Sequence, residues 1–268
     1  MFKKTAIVAG LGLALSATAQ ADYNFEAGAA ITGGDVDSIG VSGRYYIGGV
    51  DDSKGPYGQA EFLDHASSVG IDYIDGELDG AAGLETEAYS IDGRYVTEGS
   101  GWIFEAGYDY TEFDPGNAEI DTFNLGFGKY LTDTTTLTLG YESSDAENAP
   151  EIESYRIDLE HMFNWEDSGL KLHASYGFID LDDDEELSGN DDIDAWEIDA
   201  IWYPCKNFGI GAAYSNTEYQ GEELEEYGVL GEYFITQSVA VTVAYLEGEI
   251  EDTNVETDSF VVGVTARF

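Results

Sequence analysis

Apolar and polar positions alternate along almost the whole chain. Trp102, Phe104, Ala106, Tyr108 and Tyr110 share one parity, and Ile103, Glu105, Gly107, Asp109 and Thr111 share the other. Leu170, Leu172, Ala174, Tyr176 and Phe178 alternate with Lys171, His173, Ser175, Gly177 and Ile179. Trp196, Ile198, Ala200 and Trp202 alternate with Glu197, Asp199, Ile201 and Tyr203. The same stripe recurs at Tyr23/Phe25/Ala27/Ala29/Ile31, Ile39/Val41/Gly43/Tyr45/Ile47, Tyr89/Ile91/Gly93/Tyr95 and Val239/Val241/Val243/Tyr245. A period of two gives each strand one apolar face and one polar or small face. Past the first twenty-one residues, no window is long and apolar enough for a spanning helix. The chain therefore reads as all-β.

A soluble β-sandwich produces the same alternation, with its apolar face turned inward. Several features favour a transmembrane barrel, whose apolar face points outward. The alternating segments are long and continuous. Aromatics such as Trp102, Tyr110, Trp202 and Tyr214 sit at the ends of the apolar stripes, where an interfacial belt would lie. The other face is Gly, Ser, Thr, Asp and Glu, which suits a wet lumen. Tight turns around Glu98–Ser100, Thr132–Asp133 and Ser238 alternate with longer acidic connections. Short periplasmic turns and longer external loops are the expected barrel pattern.

The N-terminus points the same way. Two lysines precede a mostly apolar run from Thr5 to Thr18, which ends in Ala19-Gln20-Ala21. This is the layout of a secretory signal peptide over residues 1–21, leaving 22–268 as the barrel. At the other end Phe260, Val262, Val264, Ala266 and Phe268 share one parity, and Phe268 is terminal. On these residues the sequence resembles a Gram-negative outer-membrane β-barrel protein. In that class a terminal aromatic behind alternating apolar residues marks the last strand for the barrel-assembly machinery. The stretch Gly55-Pro56-Tyr57-Gly58-Gln59-Ala60-Glu61-Phe62-Leu63, followed by Ala66-Ser67-Ser68-Val69, is also similar to an early segment of the putative porin family.

If Phe268 is periplasmic, the external loops fall near Gly33–Asp37, Asp75–Gly83, Asp114–Glu119, Ser143–Glu151, Asp180–Asp194, Gln220–Glu225 and Glu249–Glu256. This predicts an antiparallel up-and-down barrel of about fourteen strands, each of roughly ten residues, with Phe62–Ile74 as one strand. Splitting that segment at His65 would give an odd count, and twelve or sixteen strands are the other even-numbered choices.

Composition then narrows the function. The chain carries 10 Lys+Arg against 55 Asp+Glu, a formal net charge of −45. That excludes a general nucleic-acid binder, which needs a basic face. A single Cys excludes a disulfide framework and a Cys-based zinc site. Charges facing lipid at mid-membrane cost about 2–4 kcal/mol for Lys or Arg, so the few bases should face water. Arg44, Arg94, Arg156 and Lys171 fall on the polar parity, together with many acids. The expected pore-lining set is Glu26, Arg44, Asp92, Arg94, Glu105, Asp109, Arg156, Asp158, Glu160, Lys171, His173, Glu197, Asp199 and Glu232. Internal salt bridges that fill a closed lumen would use the same residues.

The two most acidic stretches are Asp180–Asp194 and Glu247–Asp258. Such oxygen-rich loops suit loosely bound Ca²⁺ or Mg²⁺, but the spaced ligands of an EF-hand are missing, so no cofactor or metal site is expected. Catalytic constellations are weak. Of the three histidines, His65, His161 and His173, His161 lies near a strand end beside Phe163, which suits an interfacial role, and His173 shares a face with Ser175 without an orienting third group. Cys205 lies in a turn as an incidental thiol. The expectation is a passive diffusion channel for small hydrophilic solutes with a preference for cations. The alternative is a closed structural or adhesive barrel that acts through its acidic loops. Partners would be outer-membrane lipid, lipopolysaccharide, the assembly machinery and small solutes, with a homotrimer and a monomer equally allowed.

Overall fold

The computed structural model describes residues 22–78, 84–114, 118–146, 151–181, 193–219, 222–250 and 256–268. These residues form fourteen antiparallel strands that close into one barrel in chain order. They are β1 (Asp22–Gly34), β2 (Val36–Asp51), β3 (Ser67–Leu78), β4 (Leu84–Val96), β5 (Trp102–Asp114), β6 (Ala118–Thr132) and β7 (Thr135–Ala146). There follow β8 (Ile152–Trp165), β9 (Ser168–Leu181), β10 (Ile193–Cys205), β11 (Phe208–Tyr219), β12 (Glu222–Thr236), β13 (Val239–Ile250) and β14 (Glu256–Arg267). Every strand pairs with its chain neighbours, and β1 pairs with β14 from Glu26↔Arg267 to Gly34↔Ser259. Closure leaves no free edge, which a sheet in lipid requires. Phe268 adds to the seam: its carbonyl accepts from the Asn24 and Phe25 amides, and its ring stacks on Phe25 at 5.3 Å.

The apolar parity faces outward. Ile71, Ile91, Leu139, Ile157, Ile198 and Val229 are all exposed around the wall. Aromatics flank this band. One girdle includes Tyr45, Tyr95, Trp102, Trp165 and Trp202, at the end where β1 begins and β14 ends. Lys129 lies over the Trp102 ring at 4.7 Å, keeping its ammonium at the band's edge. The second girdle is largely tyrosine, and its hydroxyls donate to carboxylates one step further out. Tyr141 donates to Glu153 (2.6 Å), Tyr176 to Asp194 (2.7 Å), Tyr214 to Glu225 (2.6 Å) and Tyr108 to Asp121. Amphipathic rings with a wet tip fit that position.

The strands run 12–16 residues, longer than expected, because pairing continues into segments read as loop. Asp75 lies in β3, Ser143 in β7 and Glu225 in β12, while residues 220–221 of that expected loop lie outside the described residues. Much of Asp180–Asp194, and residues 251–255, lie outside the described residues, as does the expected signal peptide at 1–21.

Two local expectations are corrected. Phe62–Ile74 is not one strand. Asp52–Lys54 and Tyr57–Gln59 form 3-10 turns, Ala60–Leu63 forms a short helix, α1, and β3 starts only at Ser67. His65 takes a left-handed φ of 55° in between. Tyr23 does not share the outward face of Phe25. A register shift between Tyr23 and Phe25 turns its ring inward, edge-on to Tyr46 at 5.3 Å.

Segment 52–66 explains where the buried apolar core lies. It joins β2 to β3 at the terminal end and folds across the barrel mouth. Phe62 and Leu63 pack among Val96, Ile103, Tyr130, Met162 and Tyr203. Ala60 and Ala66 pack with Tyr23, Tyr46 and Val50. Most of these wall residues occupy the inward parity. A small core under a barrel end gives an otherwise wet lumen one dry seat.

Candidate functional site: the barrel lumen

The seated segment is tied to four successive turns of the opposite wall. The His65 Nε2 lies 3.0 Å from the Asp133 carbonyl in the β6–β7 turn. Asn164, at the end of β8, donates to the Lys54 carbonyl at 2.7 Å. The Lys206 carbonyl in the β10–β11 turn accepts from the Tyr57 amide at 2.9 Å, and Gln237 in the β12–β13 turn donates to Asp52 at 2.8 Å. From the wall, Tyr130 donates to the Phe62 carbonyl (2.9 Å) and Tyr46 to Glu61 (2.7 Å). Lys54 pairs with Asp64 within the segment. Gly58 presses against Glu232 and the Tyr203 hydroxyl so closely that a Cβ there would overlap the Glu232 carboxylate. One oxygen of that carboxylate, Oε1, is buried without a hydrogen-bond partner.

Arg267 is the keystone of this seat. Its Nε donates to Glu26 at 2.7 Å and Nη1 to the Tyr57 carbonyl at 2.8 Å. Its guanidinium lies 4.8 Å from the Tyr23 and Phe234 ring centroids. It stands beside the proposed assembly residues Phe260, Val262, Val264, Ala266 and Phe268, on the opposite parity. The sequence reading missed it, although its parity in the last strand marks it as inward.

Beyond the segment the wall is lined by paired charges. Arg44 reaches over β3 to Asp92 at 3.1 Å, and Arg94 bonds Glu105 at 2.6 Å. Gly70 is the strand residue under Arg44, and a Cβ there would meet Asp92 Oδ1. Asp109 accepts from Asn124 at 3.1 Å. On the far wall Arg156 bonds Asp158 (2.9 Å), Lys171 lies 3.5 Å from Glu160, and His173 bonds Asp199 (2.7 Å). Glu26 and Glu232 lie near the segment, and Glu197 faces inward beside Asp199. A cavity of about 380 Å³ lies between the segment and the wall, lined by Arg44, Glu61, Asp92, Arg94, Glu105 and Lys171 among others.

The other sequence candidates take structural positions. His161 Nδ1 lies 2.8 Å from the Thr135 hydroxyl, with its ring against Phe163. Cys205 is exposed and its thiol donates to Asn207. The imidazole of His173 is held by two carboxylates, Asp199 and Asp158, rather than by Ser175.

Burial raises the Asp52 carboxyl above its ordinary range, although Gln237 and Arg267 act against that. The seated state then holds an extra proton between the raised value and the ordinary value of about 4. Acidification through that window should stabilise seating, with no further gain below it. Channel conductance measured against pH should fall on the acid side of the window. Asp52→Asn should remove that component.

No curated protein sequence matches the chain at a significant level. Among solved structures it is similar to the outer membrane protein Omp33 of Acinetobacter baumannii. The TM-score is 0.69 and the identity 21%, covering 92% of this chain and 99% of that one. It is similar in fold to a mutant of the monoaromatic hydrocarbon channel TodX (TM-score 0.54, 13% identity, 95% of this chain and 91% of that one). The NanC porin aligns at a TM-score of 0.50 with 11% identity, covering 91% of this chain and 100% of that one. A family model described as putative general bacterial porin matches residues 2–268. The chain belongs to that family, and is a porin-type channel that crosses the outer membrane as a multi-pass β-barrel.

Proposed function

We propose that the protein is a passive diffusion channel for small hydrophilic solutes, preferring cations, with segment 52–66 setting the width of its periplasmic end. The observation that carries the preference is the imbalance of the inward wall. Glu26, Asp92, Glu105, Asp109, Asp158, Glu160, Glu197, Asp199 and Glu232 face Arg44, Arg94, Arg156, Lys171 and Arg267, and every one of these bases is engaged by an acid. Excess carboxylate in a confined lumen concentrates cations and depletes anions. The test is the reversal potential of the purified channel in a planar bilayer under a salt gradient. It should be cation-selective at low salt and lose selectivity as the salt concentration rises, since the Debye length shortens from about 10 Å at 0.1 M to about 3 Å at 1 M. Anion selectivity at low salt would overturn the reading.

The extent of the seat favours one second reading, a barrel closed at rest that works through its external rim. The ring of tyrosine-bound carboxylates at that rim lies where lipopolysaccharide phosphates would sit, and divalent ions would have to bridge the two. Export by the signal at 1–21, and assembly directed by Phe260, Val262, Val264, Ala266 and Phe268, belong to either reading.

A further inference from the structure

We propose that the β8–β10 wall binds one divalent transition-metal ion of the zinc class, ligated by His173, Glu197 and Asp199. His173 and Asp199 are direct cross-strand partners, and Glu197 precedes Asp199 by two residues on the same inward face. One donor atom from each lies within 4.8 Å of the others. Tetrahedral ligands at about 2.0–2.2 Å from one ion stand roughly 3.3–3.6 Å apart, so binding requires the side chains to close in by about 1 Å. The His173 Nδ1 and Asp199 Oδ2 atoms, now 2.7 Å apart, share a proton whose place an ion would take.

The surroundings support an ion rather than a further ion pair. The nearby bases are engaged elsewhere, Arg156 by Asp158 and Lys171 by Glu160. Glu197 has no hydrogen-bond or ion-pair partner among the described residues, so its charge is uncompensated beside that of Asp199. On the other side of the ring, Asp158 Oδ1 lies 3.4 Å from Nε2. A carboxylate behind a ligating imidazole orients the ring and raises its basicity. An imidazole among carboxylates selects zinc-class ions over Ca²⁺ and Mg²⁺, which prefer all-oxygen shells. The site follows from the inward register of three strands and does not depend on whether the channel conducts.

The experiment is a Co²⁺ titration of the full-length folded protein in detergent, read by visible absorption, with excess Mg²⁺ present to fill the acidic loops. A single Co²⁺ per chain should give an intense visible band that Zn²⁺ abolishes stoichiometrically. His173→Gln should weaken binding about 100-fold and Glu197→Gln about 10-fold, at or beyond the range known for ligand-supporting residues. His65→Gln and His161→Gln should leave it unchanged. Heat-shifted gel mobility verifies that each variant remains a barrel. If His173→Gln does not fold, Glu197→Gln decides, since that side chain has no partner to lose. Binding that survives both substitutions, or that Mg²⁺ displaces in simple proportion, would mean ions in the acidic loops only and would overturn the proposal.

Discussion

Replacing Tyr57–His65 with a short Gly/Ser linker should raise single-channel conductance severalfold while the barrel still forms. The wall is complete without the segment, because β2 and β3 pair directly from Val36↔Leu78 to Ile47↔Ser67. What the segment adds is obstruction: α1 and its flanking turns cross the mouth, bonded to four turns on the far side. Removing it also exposes Ile103, Tyr130, Met162 and Tyr203 to water. The variant should therefore lose stability as it gains conductance. A conductance equal to that of the native protein would mean that the constriction lies elsewhere, such as in the external loops.

Arg267→Ala should be the most destabilising single substitution in the lumen. The side chain is only 10% exposed and serves four partners: Glu26, the Tyr57 carbonyl, and the Tyr23 and Phe234 rings. Its loss leaves the Glu26 carboxylate and the Tyr57 carbonyl without their donor inside a tight seat. Removing one partner of a buried ion pair costs about 3–5 kcal/mol. A urea titration followed by heat-shifted gel mobility should show a lower midpoint, and the channel should open more readily as the segment loses its anchor. Arg267→Lys retains the charge but loses the forked geometry, so it should fall between the two. A midpoint within error of the native value would remove Arg267 from this role.

Most of the barrel was legible in the sequence because lipid imposes one rule on all the strands. Alternation at Trp102–Tyr110 or Leu170–Phe178 is enough to set strand, face and direction. Sparse bases on the polar parity point inward for the same energetic reason. The strand count of fourteen came out right, although Phe62–Ile74 was read as a single strand. A segment that folds into a lumen obeys no period of two. Gly55-Pro56 and the helical turn at Ala60–Leu63 carry only local signals, which the surrounding strand pattern overrode.

A better clue lay in the wall itself. Tyr46, Val96, Ile103, Tyr130, Met162, Tyr203 and Phe234 are large apolar residues on the parity meant for water. Each stands close to a turn or connection at the end where β1 begins and β14 ends, and together they mark a dry seat that something must fill. Arg267 was missed because its neighbours in β14 were read for their outward face alone. The pairing of His173 with Asp199 could not be read either. Register between β9 and β10 depends on a connection of undetermined length, and a shift of two residues would have put Glu197 opposite His173 instead.

The most direct test of the account is solute uptake by proteoliposomes carrying the native protein or the linker variant, using uncharged sugars of increasing size. The native protein should give slow, size-limited swelling, and the variant faster swelling that extends to larger sugars. No swelling from either, while both retain heat-shifted mobility, would contradict a water-filled path through the barrel and leave a closed barrel acting through its external rim.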